Sequence, residues 1–254
     1  MSAPTATPQE TIEKLLELSG REDLPLARSF VQGREGREGR DKPVPGPLSD
    51  FVRATHGRAL QQYLLVHAAA SAAPWSVARD SRVWARAMFL DPERASSRSA
   101  ISKNFAWLAD AGLVARGRRA RLSEITLLRD DGSGEPYEAH PHERREPYLK
   151  LPYAFWREDW HRHLDLASTA VLLIGLSLND GFVLPHDQVQ NWYGISSSTL
   201  TKGLGGLRSQ GLLTVRRDQK VAPLAPEGHT WEYSYTLQAP FGPKGRQARR
   251  GQSS

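Results

Sequence analysis

The stretch "STLTKGLGGLRSQGLL", Ser198–Leu213, supports two opposed readings. Three glycines within four residues, Gly203, Gly205 and Gly206, follow Lys202 and suggest a loop that cradles phosphates; leucines at 200, 204 and 207 suggest one face of a helix. Spacing rejects the loop. A dinucleotide fingerprint would need a third glycine where Arg208 stands, and a Walker loop ends in Gly-Lys-Ser/Thr, whereas here the lysine precedes the glycines. The helix has proper ends: Ser196 is a natural N-cap, and Gly211 sits where a helix closes in the left-handed conformation.

The segment also occurs twice. Shifted by 99 residues, "SAISKNFAWLADAGLV" (Ser99–Val114) lies on it, with Ile101 on Leu200, Lys103 on Lys202, Phe105 on Leu204, Leu108 on Leu207 and Gly112-Leu113 on Gly211-Leu212. The first copy has Asn104, Ala106 and Trp107 in place of the three glycines, so the shared design does not need glycine. Each copy follows an apolar helix (Ala59–Ala73; Leu166–Leu178) and a short second helix (Ser76–Leu90; Pro185–Tyr193), and each precedes an arginine-rich strand pair.

"YGISSSTLTKGLGGLRSQGLLTVRR" (Tyr193–Arg217) resembles the core of bacterial winged helix-turn-helix domains: a turn glycine and small apolar residue (Gly194-Ile195), a polar helix start, a Thr-apolar step (Thr199-Leu200), and Gly211-Leu212-Leu213 leading into the wing. The first copy resembles it too, with a longer turn at Asp91–Arg94. The tandem arrangement, with "YLKLPYAFW" (Tyr148–Trp156) opening the second unit, looks like replication initiators of plasmids and mobile elements. The resemblance implies an α+β, mostly helical chain of two winged-helix domains in tandem, each a three-helix core with a β-hairpin wing. The expected boundaries are 1–47, a flexible N-terminal region in which Gln9–Ser19 can form a short helix; 48–129, the first domain; 130–147, a linker; 148–238, the second domain; and 239–254, a basic disordered tail.

With the leucines inward, the opposite helix face at ~100° per residue presents Ser198, Lys202, Gly205 and Ser209, flanked by Thr201, with Ser197 beside its start. The matching set in the first copy is Ser99, Lys103, Ala106 and Asp110, flanked by Ser102, with Arg98 beside its start. Both faces are small, polar and basic near their start, which suits a helix entering a major groove. The wings supply phosphate contacts: Arg116, Arg118, Arg119 and Arg121 in the first, and Arg216, Arg217 and Lys220 in the second, whose return strand is expected at Trp231–Leu237. Gly205, matched by the small Ala106, would keep the second helix thin enough for its backbone to approach the groove.

Composition bounds the alternatives. The 254-residue chain carries a net charge of +6 and has no cysteine, which excludes disulfides, thiolate catalysis and Cys-ligated zinc. Its most apolar stretches, Tyr63–Ala73 and Ala170–Leu178, fall short of the ~20 residues that span a bilayer. A cytoplasmic, nucleoid-associated location is expected, with double-stranded DNA as partner. A homodimer remains open, no cofactor or metal is called for, and the identity of any small-molecule effector is open. "HPHE" (His140–Glu143) and "HRH" (His161–His163) lack metal-ligand spacing, and no nucleophile or paired acid marks a catalytic pocket. Tyr153, Phe155, Trp156 and Trp160 are expected in the second domain's core, a subunit interface being the alternative. The expected role is a transcriptional regulator or replication-control protein; the alternatives are a replication initiator and a chromosome-segregation adaptor using winged helices for protein contacts.

Overall fold

The computed structural model describes residues 5–35, 42–138 and 147–242. The chain is α+β, with ten α-helices and four small antiparallel sheets among the described residues. No described helix is long and apolar enough to cross a membrane.

One succession of elements occurs twice. In the first unit an apolar helix α3 (Gly57–Ala69) leads to strand β4 (Ser76–Arg79), the short helix α4 (Ser81–Ala87), the longer α5 (Ala95–Asp110) and the hairpin β5 (Val114–Arg119) and β6 (Leu122–Leu127). In the second, α8 (Leu166–Ser177) leads to β8 (Phe182–Val183), α9 (Val189–Tyr193), α10 (Ser197–Ser209) and the hairpin β9 (Leu213–Val221) and β10 (His229–Leu237). The sheets match as well, in the orders β4-β6-β5 and β8-β10-β9. The expected helix at Ser76–Leu90 is corrected by β4: Val77 and Ala78 are buried against β6, and Asp80 then caps α4 by accepting from the Arg82 amide.

The N-terminal region is not a flexible appendage over the residues described. Helix α1 (Pro8–Glu17) opens with a reciprocal capping box, in which Thr7 Oγ1 accepts from the Glu10 amide at 3.1 Å and Glu10 Oε2 accepts from the Thr7 amide at 2.7 Å. It buries Ile12, Leu15 and Leu16 against α3 and α4. Strand β1 (Asp23–Ala27) pairs antiparallel with β7 (Tyr148–Pro152), and β2 (Gln32–Glu35) pairs with β3 (Lys42–Pro45). The N-terminal region thus touches both units: α1 packs on the first, whereas β7 opens the second and β3 packs against α9. One continuous apolar core, from Ile12 to Phe241, runs through both. The glycine- and charge-rich segment 36–41 lies outside the described residues.

The expected linker and tail are likewise corrected at their starts. Asp130 is buried and serves as a hub: it accepts from the Ala27 amide of β1 at 2.8 Å, from the Tyr63 hydroxyl at 2.7 Å and from His67 Nε2 at 3.0 Å. Tyr137 stands edge-on to His67 and Trp75. Phe241 is wholly buried, packed against Trp160, and 243–254 lie outside the described residues. Tyr153, Phe155 and Trp156 are core residues, as expected.

The three glycines of α10 divide by use. A Cβ on Gly203 would lie 2.5 Å from both the Ala167 carbonyl oxygen and Val171 Cγ2 of α8, and one on Gly206 would lie 2.1 Å from Ser168 Oγ. Gly205 faces open space. At the equivalent crossing of α5 on α3, Asn104 Nδ2 donates to Gln62 Oε1 at 3.1 Å, while Trp107 packs on Phe51 of α2 (Leu48–Arg53), its ring centroid 4.6 Å away. The glycine pair brings two helices together; a hydrogen-bonded side-chain pair stands between the other two.

Two stability experiments follow. Gly205→Ala should stabilise by about 1 kcal/mol through helix propensity alone, whereas Gly203→Ala, with the same propensity gain, should destabilise by about 1–3 kcal/mol through overpacking against α8. Urea unfolding of both variants checks the contrast, and changes of the same sign would refute it. For Asp130, burial pushes the carboxyl up, but His67, the Ala27 amide and the Tyr63 hydroxyl outweigh it and hold the group below the ordinary carboxylate range. A depressed carboxylate stabilises the fold above its unfolded pKa, and that contribution is lost as pH falls through the folded value. Asp130→Asn should therefore cost about 3–5 kcal/mol at neutral pH. Its deficit relative to the native protein should shrink progressively below about pH 4, where the unfolded carboxyl begins to protonate. A deficit independent of pH would show that the charge is not what matters.

Candidate nucleic-acid interface

Helix α5 offers its start to solvent. Ile101, Phe105 and Leu108 are buried, so Ser99, Ser102 and Lys103 are exposed on the opposite face and Ala106 is half-buried. Arg98 is also half-buried; its guanidinium donates to the carbonyls of Pro92 and Glu93 at 3.0 and 2.7 Å and braces the turn before the helix. The longer turn at Asp91–Arg94 is thereby held in a defined shape.

The β5–β6 hairpin meets this helix face. Arg116 donates to Ser102 Oγ at 3.3 Å, which makes hairpin and helix one surface. Arg98, Ser102, Arg116, Arg118 and Arg121 line a cleft of about 570 Å³ between α4, α5 and the hairpin, with Trp84, Ile101 and Phe105 at its apolar side. Among the described residues, no carboxylate lies within ion-pair distance of Lys103, Arg116, Arg118 or Arg121. Arg119 differs from these: Glu124 pairs with it, and Ser76 accepts from it at 3.2 Å. Four arginines crowd the hairpin, and one is already neutralised.

The second unit has the same framework and the opposite electrostatics. Ser197, Ser198, Thr201, Lys202 and Gly205 are all exposed on α10. Ser196 caps the helix by accepting from the Thr199 amide at 3.1 Å. Ser197 donates to the His186 carbonyl at 3.0 Å and Thr201 to the Ser197 carbonyl at 2.9 Å, which leaves each hydroxyl with acceptor capacity. Lys202 pairs with Asp165, the N-cap of α8, at 2.9 Å. Desolvation pushes the Asp165 carboxyl up, but the Ser168 amide and Lys202 outweigh it and hold it below its ordinary value.

The second hairpin pairs two of its three cations with carboxylates. Arg216 pairs with Asp218 at 2.9 Å and Lys220 with Glu232 at 3.1 Å. Arg217 lies over the Trp231 ring with its guanidinium carbon 3.6 Å from the centroid. The Arg216 contact runs along β9, two residues on, whereas those of Lys220 and Arg217 cross to β10, where the register sets Arg217 opposite Tyr233 and Gln219 opposite Trp231. Val221, Leu224, Trp231 and Tyr233 are exposed, so this hairpin presents an apolar and aromatic surface with little free charge. Of the partners, Asp218 stands two residues along the same strand, Glu232 arrives through strand pairing and Asp165 from the start of α8.

Gly205 faces open space, whereas Gly203 and Gly206 are occupied by contact with α8. The two basic wings are unequal: among the described residues Arg116, Arg118 and Arg121 of the first have no carboxylate partner, against Arg217 alone of the second, which lies over Trp231. Of the histidine clusters, His161 is buried with its ring beside Phe89 and Phe155, and His140–Glu143 lie outside the described residues. Nowhere among the described residues do three or more potential ligands gather as a metal site would require. In comparisons with protein-family models, curated proteins and solved structures, the chain matches none.

Proposed function

We propose that this chain binds double-stranded DNA through two winged-helix units in tandem and performs no catalysis. The observation that carries the proposal is the convergence of α5 and the β5–β6 hairpin: Arg116 reaches Ser102, and Lys103, Arg118 and Arg121 stand exposed around the same face with no carboxylate partner among the described residues. Guanidinium groups without counter-ions on one exposed face repel one another, and a polyanion relieves that repulsion. A helix start bearing hydroxyls and a lysine beside such a hairpin matches the division of labour in DNA readers, in which side chains reach base edges and arginines hold phosphates.

The first unit supplies most of the affinity. Lys202 and the cations of the second hairpin must exchange an existing partner for a phosphate. That exchange costs little, because exposed ion pairs contribute only ~0–1 kcal/mol. The role is that of a transcriptional regulator or replication-control protein, or of a replication initiator; sites repeated beside an origin would mark the initiator, and a palindrome over a promoter the regulator. One observation favours a second reading, an adaptor that uses winged helices to hold protein: the exposed Val221, Leu224, Trp231 and Tyr233 of the second hairpin. That reading predicts weak DNA binding without sequence preference.

Selecting bound duplexes from a random pool tests the proposal, and recovery of no preferred sequence would support the adaptor instead. On a recovered site, replacing Arg118 and Arg121 together with alanine should weaken binding to every duplex and reduce the salt slope by about two phosphate contacts. An unchanged slope would remove the first hairpin from the interface. Lys103→Ala should cost about 1–3 kcal/mol on the preferred site and much less on random duplex, with Lys202→Ala costing less because Asp165 already holds that lysine. Equal losses on both DNAs would remove the base-reading role.

A further inference from the structure

The hairpin of the second unit sorts its side chains by face. Side chains alternate along a strand and residues opposite in the register share a face, so Arg217, Gln219 and Val221 of β9 stand with His229, Trp231 and Tyr233 of β10. The carboxylates of the two strands, Asp218 and Glu232, fall on the other face and are paired there with Arg216 and Lys220. Glu227 lies in the turn, 3.6 Å from His229. The first face therefore carries aromatic rings and a guanidinium and no strand carboxylate. It is buried at its base, where Tyr235 and Leu237 join the core, and open beyond it: Trp231 is 43% exposed, Tyr233 44% and Val221 81%. Arg217 is itself exposed, its guanidinium carbon 3.6 Å from the Trp231 centroid and 5.9 Å from that of Tyr233.

A duplex makes no use of such a face, because its bases are stacked on one another and its outside offers only base edges and phosphates. An apolar protein surface laid on it would bury Arg217 without a counter-charge, which is costly. An unpaired nucleotide brings what the face lacks: a base whose flat side stacks on aromatic rings and on guanidinium planes, and a phosphate for the arginine. A cavity of about 420 Å³ opens beside the same rings, walled across by Val183, Leu184, Pro185 and His186. The His186 carbonyl accepts from Ser197, so the face leads to the exposed start of α10. We infer that the outer face of the β9–β10 hairpin binds single-stranded DNA, with unpaired bases stacked on Trp231, Tyr233 and the Arg217 guanidinium and the backbone met by the Arg217 N–H groups. The stacking face stands on its own geometry; that the strand is DNA rests on the function proposed above.

The test uses the full chain and fluorescence anisotropy of four labelled probes: a short oligothymidylate, a strand of the same length built of abasic sites, the matching duplex, and oligouridylate. Oligothymidylate should bind roughly tenfold or more tightly than the abasic strand, which has the same charge and no rings. Replacing Trp231 and Tyr233 together with alanine should weaken oligothymidylate by roughly tenfold or more and leave duplex affinity and the thermal midpoint unchanged, whereas phenylalanine at both positions should restore most of the single-strand affinity. Equal affinity of the native chain for oligothymidylate and the abasic strand would overturn the inference without recourse to any variant. An equal loss of single strand and duplex in the alanine variant would also overturn it, and tighter binding of oligouridylate would overturn the assignment to DNA. The duplex arm separates this inference from the function proposed above. A chain that prefers bases to abasic backbone and binds no duplex keeps the stacking face and removes the duplex reading; a chain that binds duplex without that preference loses the stacking face alone, and its exposed rings then fit the protein adaptor.

Discussion

A carboxylate cannot be taken from water into a protein core without partners, and Asp130 is buried at the place where three parts of this chain meet. Its oxygens are met by the β1 amide of Ala27, the Tyr63 hydroxyl and His67 Nε2, so the N-terminal strand, helix α3 and the segment leaving the first hairpin are tied to one charge. A donor loses its partner if its own segment, or the one that carries Asp130, moves away. Strand β1 then pairs with β7, and Arg157 on α6 (Ala154–Arg157) joins Glu13 and Glu22 at 3.0 and 2.6 Å, which carries the same constraint into the second unit. The continuous apolar core is the result, and the N-terminal region is the part that spans it.

Within that frame the two units show how one design accommodates different packing. The second unit brings α10 onto α8 through Gly203 and Gly206, where a methyl group would collide with backbone or side chain. The first uses Asn104 and Gln62 at the same crossing, a polar pair that is satisfied internally and so tolerates burial. Glycine within a helix costs about 1 kcal/mol relative to alanine, so its presence twice at this contact means that close packing compensates. The third glycine, Gly205, carries that cost without a packing return and faces open space.

Electrostatics separates the units further. In the second hairpin Asp218 lies two residues along the strand from Arg216, and cross-strand pairing places Glu232 and Trp231 within reach of Lys220 and Arg217, whereas among the described residues the first hairpin has only Glu124 for four arginines. The cations without carboxylate partners among the described residues therefore lie mainly on the first unit. The second hairpin, with exposed Trp231 and Tyr233, is chemically a contact surface more than a source of field.

Much of the helical framework was legible in the residues. Periodicity located α5 and α10 and their buried faces, Ser196 marked a helix start, and Gly112 and Gly211 marked the ends, because these signals depend only on residues within a few turns of one another. Internal repetition foretold that the two units share an order of elements. Strand β4 was missed because four residues beside a helical pattern carry too little periodicity to stand out, and they become a strand only by pairing with β6, more than forty positions on. The N-terminal region reads as an appendage for a related reason: β1 is two buried leucines around a proline until β7 lies beside it. What sequence alone determined was local conformation and the choice of exposed basic residues. Which of those residues keep an unpaired charge, which glycines are spent on packing, and that Asp130 is a hub were decided by tertiary structure, since each depends on a partner distant in the chain and on the loss of water between them.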